Sequence, residues 1–393
     1  MNSKPSVTRI GIVGTGFIGQ GIVLALESQK DLQVSKVLTR REINSELKFV
    51  QQFVRPELLT DSIDELIENS DLVVECTGSV LWATLVLDRV LEANIPVVTM
   101  DSEVHITTGS YLAQKGLITE AEGDQPGCLA ALRESAIQMG FKPLVYGNIK
   151  GFMNLAPTPE DMAYWSNKQG ISLDQVTSFT DGTKVQIEQA FVANGLGADV
   201  LKDGLMGPSS EDIFTGGVQI AEAAKQLGRP VSDYILSPKS PAGVFIIAEH
   251  ELNQKDYLRY LKMGEGPYYS LVQGYHLCHL EVTKTIRRIL NGGGVLLNNT
   301  TTPQVTVVAI AKKDLQVGDK IERGIGSFDV RGIAAKFSSH PNAVPIGLLE
   351  KVTMVKRVEA GEILTFDDID IPDSLALRAC LKIATLIGQE SLK

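Results

Sequence analysis

The most informative segment of this sequence is Arg9-Ile-Gly-Ile-Val-Gly-Thr-Gly-Phe-Ile-Gly-Gln-Gly21. Residues 9–13 have the apolar character of a short buried strand, and residues 20–28 continue as a helix. The G-x-G-x-x-G spacing between them allows a tight turn, the approach of a pyrophosphate to the backbone, and close packing of helix on strand. The free N–H groups of the helix then face the phosphates. The segment therefore predicts a dinucleotide site, and the residues expected to form it are Gly14, Thr15, Gly16, Phe17, Ile18 and Gly19.

The end of the second predicted strand bears on the choice of cofactor. Residues 32–38 have strand character and are followed by Thr39-Arg40-Arg41. Enzymes that use NAD usually carry an acidic side chain here, which binds the ribose 2′-hydroxyl. The guanidinium forks of Arg40 and Arg41 instead suit a 2′-phosphate. The sequence therefore favours NADP(H), although two arginines in a solvated loop would look the same.

Strands and helices continue to alternate after this point. Strands are expected at residues 71–76 and 95–100, with helices at 61–69 and 82–93. Such alternation predicts a parallel, doubly wound sheet, which binds ligands at the carboxyl ends of its strands. The side chains and backbone expected to line that crevice are those of Cys76, Thr77, Gly78, Asp101 and Glu103.

The length of 393 residues predicts more than one domain. We expect an α/β protein with a Rossmann NAD(P)-binding domain over 1–150, closed by a last strand at residues 144–148 after a helix at 129–139. An α+β substrate and catalytic domain follows over 151–301, and a small β-rich domain with a terminal helix over 302–393. In that last part, residues 313–321 and 356–364 match at an offset of 43, which indicates a duplicated β-unit.

Composition excludes several classes of protein. A net charge of −10 argues against a nucleic-acid partner, and no apolar run is long enough to cross a membrane. The four cysteines are scattered, so neither a zinc site nor a disulfide framework is expected. We therefore expect a cytoplasmic protein, a homo-oligomer, that acts on a small molecule.

The middle of the chain contains the densest polar cluster, Ser178-Phe-Thr-Asp-Gly-Thr-Lys-Val-Gln-Ile-Glu188. A turn at Asp181-Gly182 leads into a predicted helix, on which Lys184 and Glu188 lie four residues apart. On spacing alone these two form an ordinary ion pair. His276 and His279 could ligate a metal, but packing at the head of a helix is favoured because no further ligands have suitable spacing. A divalent metal is therefore possible but not supported, and no role is assigned to His105.

The motifs together resemble the homoserine-dehydrogenase-like NAD(P) oxidoreductases that carry a C-terminal SAF domain. The resemblance rests on Gly14-x-Gly16-x-x-Gly19, Val74-Glu-Cys-Thr-Gly78, Gly123-Asp-Gln-Pro126, Lys150-Gly-x-x-Asn154, Asp181-Gly-Thr-Lys184, Gly266-Pro-Tyr268, Tyr275-His-Leu277, Gly324-Ile-Gly326 and the twin Gly318 and Gly361 motifs. It implies a β-clip fold for the SAF domain. One branch of this family resembles the chain as well, the enzymes similar to 1-deoxy-D-xylulose 5-phosphate reductoisomerase. The strand end Thr39-Arg40-Arg41 departs from the acidic residue of that branch.

The resemblance implies hydride transfer between NADP(H) and a small hydroxy-carbonyl compound, sugar- or polyol-like and with or without phosphate. A carbonyl oxygen that gains negative charge needs a cation or a donor nearby, and then a proton. Lys184 and Lys150 are the candidates for this task, while Asp124, Glu103 and Glu188 are candidates to hold substrate hydroxyls or a divalent metal. Two alternatives stay open: a reductoisomerase-like activity, and a cofactor-binding regulator or scaffold without turnover.

Overall fold

The computed structural model describes residues 7–390 of the chain. Its first sheet is wholly parallel and has the strand order β3-β2-β1-β4-β5-β6. The order of the strands reverses between the neighbouring strands β1 and β4, because the chain adds β2 and β3 on one side and β5 and β6 on the other. This reversal leaves a crevice at the carboxyl ends of β1 and β4. This confirms the α/β fold with a Rossmann-type sheet. The strands are β1 (Thr8–Val13), β2 (Leu32–Leu38), β3 (Leu59–Thr60), β4 (Leu72–Glu75), β5 (Val97–Thr99) and β6 (Ile118–Glu120).

Helices cover both faces of this sheet. On one face, Ile22 and Leu26 of the first helix pack on Ile10 and Ile12, while the fourth helix covers the opposite face. The helices are α1 (Phe17–Glu27), α2 (Lys48–Gln52), α3 (Ile63–Glu68), α4 (Val80–Glu92), α5 (Ser102–Val104) and α6 (Ser110–Leu112). A π-helical stretch, His105–Gly109, joins α5 to α6. Short 3₁₀ turns lie at Pro56–Leu58, Leu252–Gln254 and Ile346–Leu348.

The seventh helix, α7 (Gln125–Gln138), begins four residues earlier than the sequence suggests. Pro126 lies in its first turn, where the missing N–H costs no hydrogen bond and the fixed φ favours the helix. Asp124 is consequently the residue at the N-cap of this helix. Its carboxylate lies at the positive end of a fourteen-residue helix.

A second sheet of mixed direction has the order β10-β9-β7-β8. The expectation that residues 144–148 close the first sheet is wrong, because β7 pairs with β8 and β9 in the second sheet. The edge of the first sheet is instead β6, whose three residues are too few to give a periodic signal. The strands are β7 (Lys142–Lys150), β8 (Val231–Leu236), β9 (Gly243–Glu249) and β10 (Tyr268–Gln273).

The helices of this region are α8 (Pro159–Gln169), α9 (Leu173–Thr180), α10 (Thr183–Leu196), α11 (Ile213–Leu227), α12 (Lys255–Tyr260) and α13 (Cys278–Leu290). Helices α7 and α10 pack on one face of the second sheet and α11 on the other. Helix α13 returns to the first sheet, where Val282 and Ile286 join the core around Ile10. The chain thus crosses back between its two main sheets before the C-terminal part begins.

The C-terminal part consists of small antiparallel sheets and a final helix. Two strands, β11 (Val305–Ala311) and β13 (Val330–Lys336), pair with each other, while β12 (Lys320–Arg323), β14 (Glu350–Met354) and β15 (Ile369–Asp370) form a three-stranded sheet. Helix α14 (Leu375–Glu390) packs against α4 of the first sheet. No helix within residues 7–390 is long and apolar enough to span a membrane.

The two repeated segments of this part have matching local structure. Leu315 and Val358 exchange two backbone hydrogen bonds, of 2.9 and 3.1 Å. The following glycines, Gly318 and Gly361, have φ values of +91° and +90°. Equivalent backbone at the offset of 43 residues is what a duplicated β-unit predicts.

Candidate active site

The glycine turn has the geometry that a dinucleotide needs. Gly14 has a φ of +124°, which side chains rarely adopt, and a Cβ on Gly19 would overlap the carbonyl oxygen of Gly14. A Cβ on Gly16 would meet no protein atom within 4 Å. No side chain caps the first N–H groups of α1, and Phe17 beside them is 75% exposed. The turn is therefore closed towards the protein and open towards a ligand.

The end of β2 lies beside this turn. The Gly14 N–H donates to the Leu38 carbonyl (3.1 Å), and the Thr15 and Thr39 hydroxyls are 3.5 Å apart. The Arg40 guanidinium lies 5.3 Å from the ring centre of Trp82, and that of Arg41 lies 5.2 Å from the ring centre of Phe49. Neither arginine forms an ion pair within residues 7–390, so both exposed guanidinium groups are available to an anion.

Buried carboxyl groups lie where the central strands end. The backbone N–H and hydroxyl of Thr77 both donate to Glu75 Oε1 at 2.7 Å, and the Gly78 N–H donates to Asp101 Oδ2 at 2.8 Å. Glu75 Oε2 has no hydrogen-bond donor in the described structure. Burial raises the pKa of Glu75 to about 7, and burial next to Glu75 and Glu103 raises the pKa of Asp101 well above its usual range. At least part of this cluster is consequently protonated near neutral pH.

Lys184 reaches this cluster from the first turn of α10. Its Nζ donates to both carboxylate oxygens of Glu103 at 2.9 Å, and the two side chains are only 12% and 11% exposed. Burial opposes the charged ammonium, but Glu103, Asp124 and Glu188 raise the pKa of Lys184 well above its usual range. Lys184 is therefore a protonated, held cation at the carboxyl ends of the strands.

Asp124 lies next to Lys184 and leads to a second buried acid. The Ser102 hydroxyl donates to Asp124 Oδ2 at 2.9 Å. Burial acts to raise the pKa of Asp124, but Lys184 and a hydrogen bond with Glu120 lower it overall. Burial and the Asp124 charge raise the pKa of Glu120 well above its usual range. Of these two carboxyls, Glu120 is therefore the one that holds a proton more readily.

A buried histidine lies behind this pair. His105 Nε2 is 3.3 Å from Glu120 Oε2, and the imidazole stacks on Phe191 with ring centres 4.3 Å apart. Burial lowers the pKa of His105 to about 3, so the ring is neutral. The sequence assigned His105 no role because a single histidine within a helical segment carries no spacing signal.

Glu188 and Lys150 form the opposite side of the site. The Asn148 amide donates to Glu188 Oε2 at 2.7 Å and is itself held by Gln125 through a reciprocal pair of 3.1 Å hydrogen bonds. Lys150 Nζ is 3.9 Å from the same Glu188 oxygen. Burial raises the pKa of Glu188, although Lys150 and Lys184 oppose this. Lys150 is thus held loosely, with its donors free for a ligand.

The structure brings the four predicted catalytic residues, Lys184, Lys150, Asp124 and Glu188, into one cluster. The expected ion pair between Lys184 and Glu188 is wrong, because α10 is buried and Lys184 binds Glu103 on another element. Glu103, expected at the cofactor, is therefore the partner of Lys184. The Cys76 Sγ donates to the Val13 carbonyl at 3.5 Å beside the glycine turn.

Sequence reasoning missed the buried side chains that support this cluster, which are Glu75, Glu120, His105, Ser102, Asn148 and Gln125. Glu75 directly follows the apolar run Leu72-Val-Val74 and stands in the motif Val74-Glu-Cys-Thr-Gly78, but neither pattern indicated a role for its carboxyl. No group of three or more His, Cys, Asp or Glu side chains in residues 7–390, His276 and His279 included, is arranged to bind a metal. His279 packs against Gly21 of α1 instead.

Two family models match the sequence. Residues 14–115 match the NAD-binding domain of homoserine dehydrogenase, and residues 123–282 match the catalytic domain of "Oxidoreductase DRL". The first match covers the glycine turn, Glu103 and the crevice, and the second covers Asp124, Lys150 and Lys184. The chain is therefore an NAD(P)-dependent oxidoreductase. None of the curated proteins matches the sequence.

Solved structures with a similar arrangement have low sequence identity to the chain. A homoserine dehydrogenase from Thiobacillus denitrificans is 12% identical, with 90% of this chain and 97% of that chain covered and a TM-score of 0.48. A myo-inositol dehydrogenase from Corynebacterium glutamicum is 11% identical, with coverage of 73% and 90% and a TM-score of 0.41. Both scores lie below 0.5, and nothing about the activity of this chain follows from them.

Proposed function

We propose that the protein is an NADP-dependent oxidoreductase that acts by hydride transfer on a small, sugar- or polyol-like hydroxy-carbonyl compound. The observation that carries this proposal is the position of Lys184. Its ammonium group is buried and held by both oxygens of Glu103, at the edge of the sheet where the glycine turn also lies. A fixed cation beside a nicotinamide crevice suits a carbonyl oxygen that gains negative charge.

The residues around the glycine turn fit a cofactor with a 2′-phosphate. The open space at Gly16 and the uncapped start of α1 suit the pyrophosphate. The guanidinium groups of Arg40 and Arg41 lie beside the turn without an acidic partner in the described chain, which supports a 2′-phosphate over a ribose hydroxyl. When bound, the cofactor supplies or accepts the hydride.

Lys184 polarises the substrate carbonyl in this proposal. Its Nζ has three donors, and Glu103 takes two of them, which leaves one for the carbonyl oxygen. Because Glu103 fixes the ammonium before the substrate arrives, little reorganisation is needed when the oxygen becomes an alkoxide. Glu103 is therefore a positioning residue for Lys184.

The proton that completes reduction comes from the pair formed by Asp124 and Glu120. Glu120 is the acid whose pKa is raised, and Asp124 interacts both with Glu120 and with the Lys184 ammonium. The alkoxide takes a proton from the Lys184 ammonium, and Glu120 then restores that proton to Lys184 by way of Asp124. In the oxidative direction the same groups accept the proton from the substrate hydroxyl.

Glu188 and Lys150 bind the remaining hydroxyl groups of the substrate. The Glu188 carboxyl is oriented by Asn148, so one of its oxygens is fixed and the other can accept from a substrate hydroxyl. Lys150, 3.9 Å away, supplies a donor. Alternating donors and acceptors of this kind suit a compound with several hydroxyls.

A substrate screen that follows NADPH absorbance tests the proposal. The panel comprises 1-deoxy-D-xylulose 5-phosphate, aspartate semialdehyde and open-chain keto-polyols, in both reaction directions. Turnover of a keto-polyol or sugar phosphate supports the proposal, and formation of a rearranged product from deoxyxylulose phosphate would support the reductoisomerase-like alternative. Tight NADPH binding without turnover across the panel would contradict it and favour a regulator.

The cofactor preference is tested with Arg40→Ala and Arg41→Ala. Loss of one guanidinium contact should weaken NADPH binding about tenfold to a hundredfold and leave NADH binding nearly unchanged. Arg55, which is part-exposed and pairs with Glu27 away from the turn, provides the control variant Arg55→Ala. Equal binding of NADPH and NADH by the unaltered protein would contradict the assignment of NADP.

A further inference from the structure

Arg331 is the one arginine of the described chain without a partner. Every other arginine in residues 7–390 has at least one hydrogen bond, ion pair or aromatic contact, whereas the half-buried Arg331 side chain has none. Burial lowers the pKa of Arg331, although Asp181 and Tyr234 act in the opposite direction. A guanidinium that is partly removed from water and unpaired is costly, unless a ligand supplies the missing anion.

Asp181, the acid whose charge acts on Arg331, is already neutralised by another cation. Lys312 Nζ donates to Asp181 Oδ2 at 2.6 Å, and the Thr183 N–H donates to Asp181 Oδ1 at 2.8 Å. Both side chains of this ion pair are at most 5% exposed. Asp181, Lys312 and Arg331 together therefore carry a net charge of +1 in a partly buried place. This excess positive charge is what a bound anion would balance.

Arg331 lies next to the candidate active site. The N–H of the adjacent Gly332 donates to the Thr183 hydroxyl at 3.0 Å, so β13 passes the first turn of α10, from which Lys184 extends. Tyr234, whose phenolic group interacts electrostatically with Arg331, stands opposite Asn148 in the β7–β8 pair. Asn148 in turn holds Glu188. The positive region around Arg331 is thus adjacent to the residues that would bind the reacting end of a substrate.

We infer that Arg331 binds an anionic group of the substrate, a phosphate or a carboxylate, with the Tyr234 hydroxyl beside it as a second donor. The inference rests on the proposed function and narrows its substrate class to hydroxy-carbonyl compounds that carry such a group. The Tyr234 hydroxyl has only a weak acceptor, the Met153 sulfur at 3.7 Å, and is free to turn towards an oxygen anion. A guanidinium and a hydroxyl are the donors that phosphate and carboxylate groups commonly receive.

Calorimetric titration of the full-length protein with inorganic phosphate and, separately, with acetate tests this inference. Saturating NADPH is present throughout, so that the cofactor's own phosphate sites are filled. The unaltered protein should bind phosphate, acetate or both, and the tighter probe identifies the acidic group. Arg331→Gln should weaken that binding about tenfold to a hundredfold, and Tyr234→Phe should weaken it less. The control Arg357→Gln removes an exposed arginine that pairs with Asp314, and should bind as the unaltered protein does.

The melting temperature without either probe separates a ligand role from a structural one. Arg331→Gln should melt at or above the temperature of the unaltered protein, because it removes an unpaired buried charge. Binding of neither probe, or equal binding by Arg331→Gln, would overturn the inference. A lower melting temperature of Arg331→Gln, together with unchanged binding of phosphate and acetate, would also overturn the inference. Turnover is measured separately with the substrate panel, so a failure of the proposed function and a failure of this inference are distinguishable.

Discussion

Glu75 shows how strongly the fold acts on a single side chain. Its carboxyl ends a fully buried parallel strand, accepts two hydrogen bonds from Thr77 on one oxygen, and has no donor on the other. Burial raises its pKa from 4.5 to about 7. The neutral acid is thus the prevailing native form below about pH 7, and it lies beside the Asp101 carboxyl at the crevice.

This shift predicts a pH dependence of stability. Between pH 4.5 and about 7, the native state holds a proton that the unfolded chain has lost, so the free energy of unfolding falls as the pH rises through this window. The full effect is about 3 kcal/mol, complete above pH 7. Glu75→Gln should show a fall that is smaller by about this amount, because the other buried carboxyls with raised pKa values, Asp101, Glu120 and Glu188, still titrate. Urea unfolding at pH 5 and pH 8 measures this difference in the free energy of unfolding, with the exposed Glu92→Gln as the control variant. The same pH dependence in Glu75→Gln and in the unaltered protein would contradict the raised pKa of Glu75.

Among the residues of the candidate site, the sequence indicated those that lie in motifs containing a turn, and it did not indicate those that lie elsewhere. Asp124 and Lys184 follow glycine-containing turns, and a polar residue directly after such a turn is a candidate for a functional site. Glu120 ends the three-residue strand β6, which gives no periodic signal, and Arg331 stands inside the strand β13, where a charged residue looks like an ordinary edge position. The pairing of Lys184 with Glu103 joins residues 81 positions apart, and no local pattern encodes it.

The element that the sequence predicted best is the turn between β1 and α1. Its glycines differ in what surrounds them. Gly19 has the Gly14 carbonyl within overlap distance of a Cβ, whereas Gly16 has open space and a φ of −75° that any residue adopts. One glycine therefore serves packing and the other serves ligand access.

Two substitutions separate these tasks. Gly19→Ala should lower the free energy of unfolding by about 1–3 kcal/mol, because the methyl group forces the strand and helix apart. Gly16→Ala should keep the melting temperature but weaken NADPH binding, since its methyl group occupies the ligand's space. Thermal unfolding and a fluorescence titration with NADPH measure the two effects. Tight NADPH binding by Gly16→Ala would show that the pyrophosphate does not approach this residue.

The sheet that a strand joins was harder to predict from the sequence than the residues that form the strand. The strand character of residues 144–148 is correct, but β7 pairs in the second sheet, and the short β6 occupies the edge expected for it. A parallel strand buried on both faces looks the same in either sheet. Which neighbours it joins depends on contacts with β8 and β9, about 80 to 100 residues further along the chain.

At the scale of the whole molecule, α10 connects the active site to the C-terminal part. One core contains Val185 and Phe191 of α10 together with Val307 of β11 and Ala376 of α14. At the far end of α10, Asn194 accepts the N–H groups of Gln304 and Val305 at 2.9 Å and donates to Asn299. The C-terminal sheets are therefore packed on the helix that carries Lys184.

Asn194→Ala should consequently destabilise the whole chain. The substitution leaves the buried Val305 N–H and the part-buried Gln304 N–H without an acceptor, at a cost of about 1–3 kcal/mol. Unfolding should keep a single transition because α10 and the C-terminal strands share one core. Urea unfolding measures the free energy of unfolding and the number of transitions, and the exposed Asn342→Ala serves as the control variant. A separate early transition for the C-terminal part would contradict this view of the molecule.

The most direct test of the account is the rate of hydride transfer in Lys184→Ala, measured as single-turnover NADPH oxidation with the substrate that the panel identifies. Loss of the held ammonium should slow this step about a hundredfold to a thousandfold while NADPH binding is kept. Lys142→Ala, which removes an exposed lysine paired with Glu251, should react at the normal rate. A normal single-turnover rate in Lys184→Ala would contradict the central claim that Lys184 polarises the substrate carbonyl.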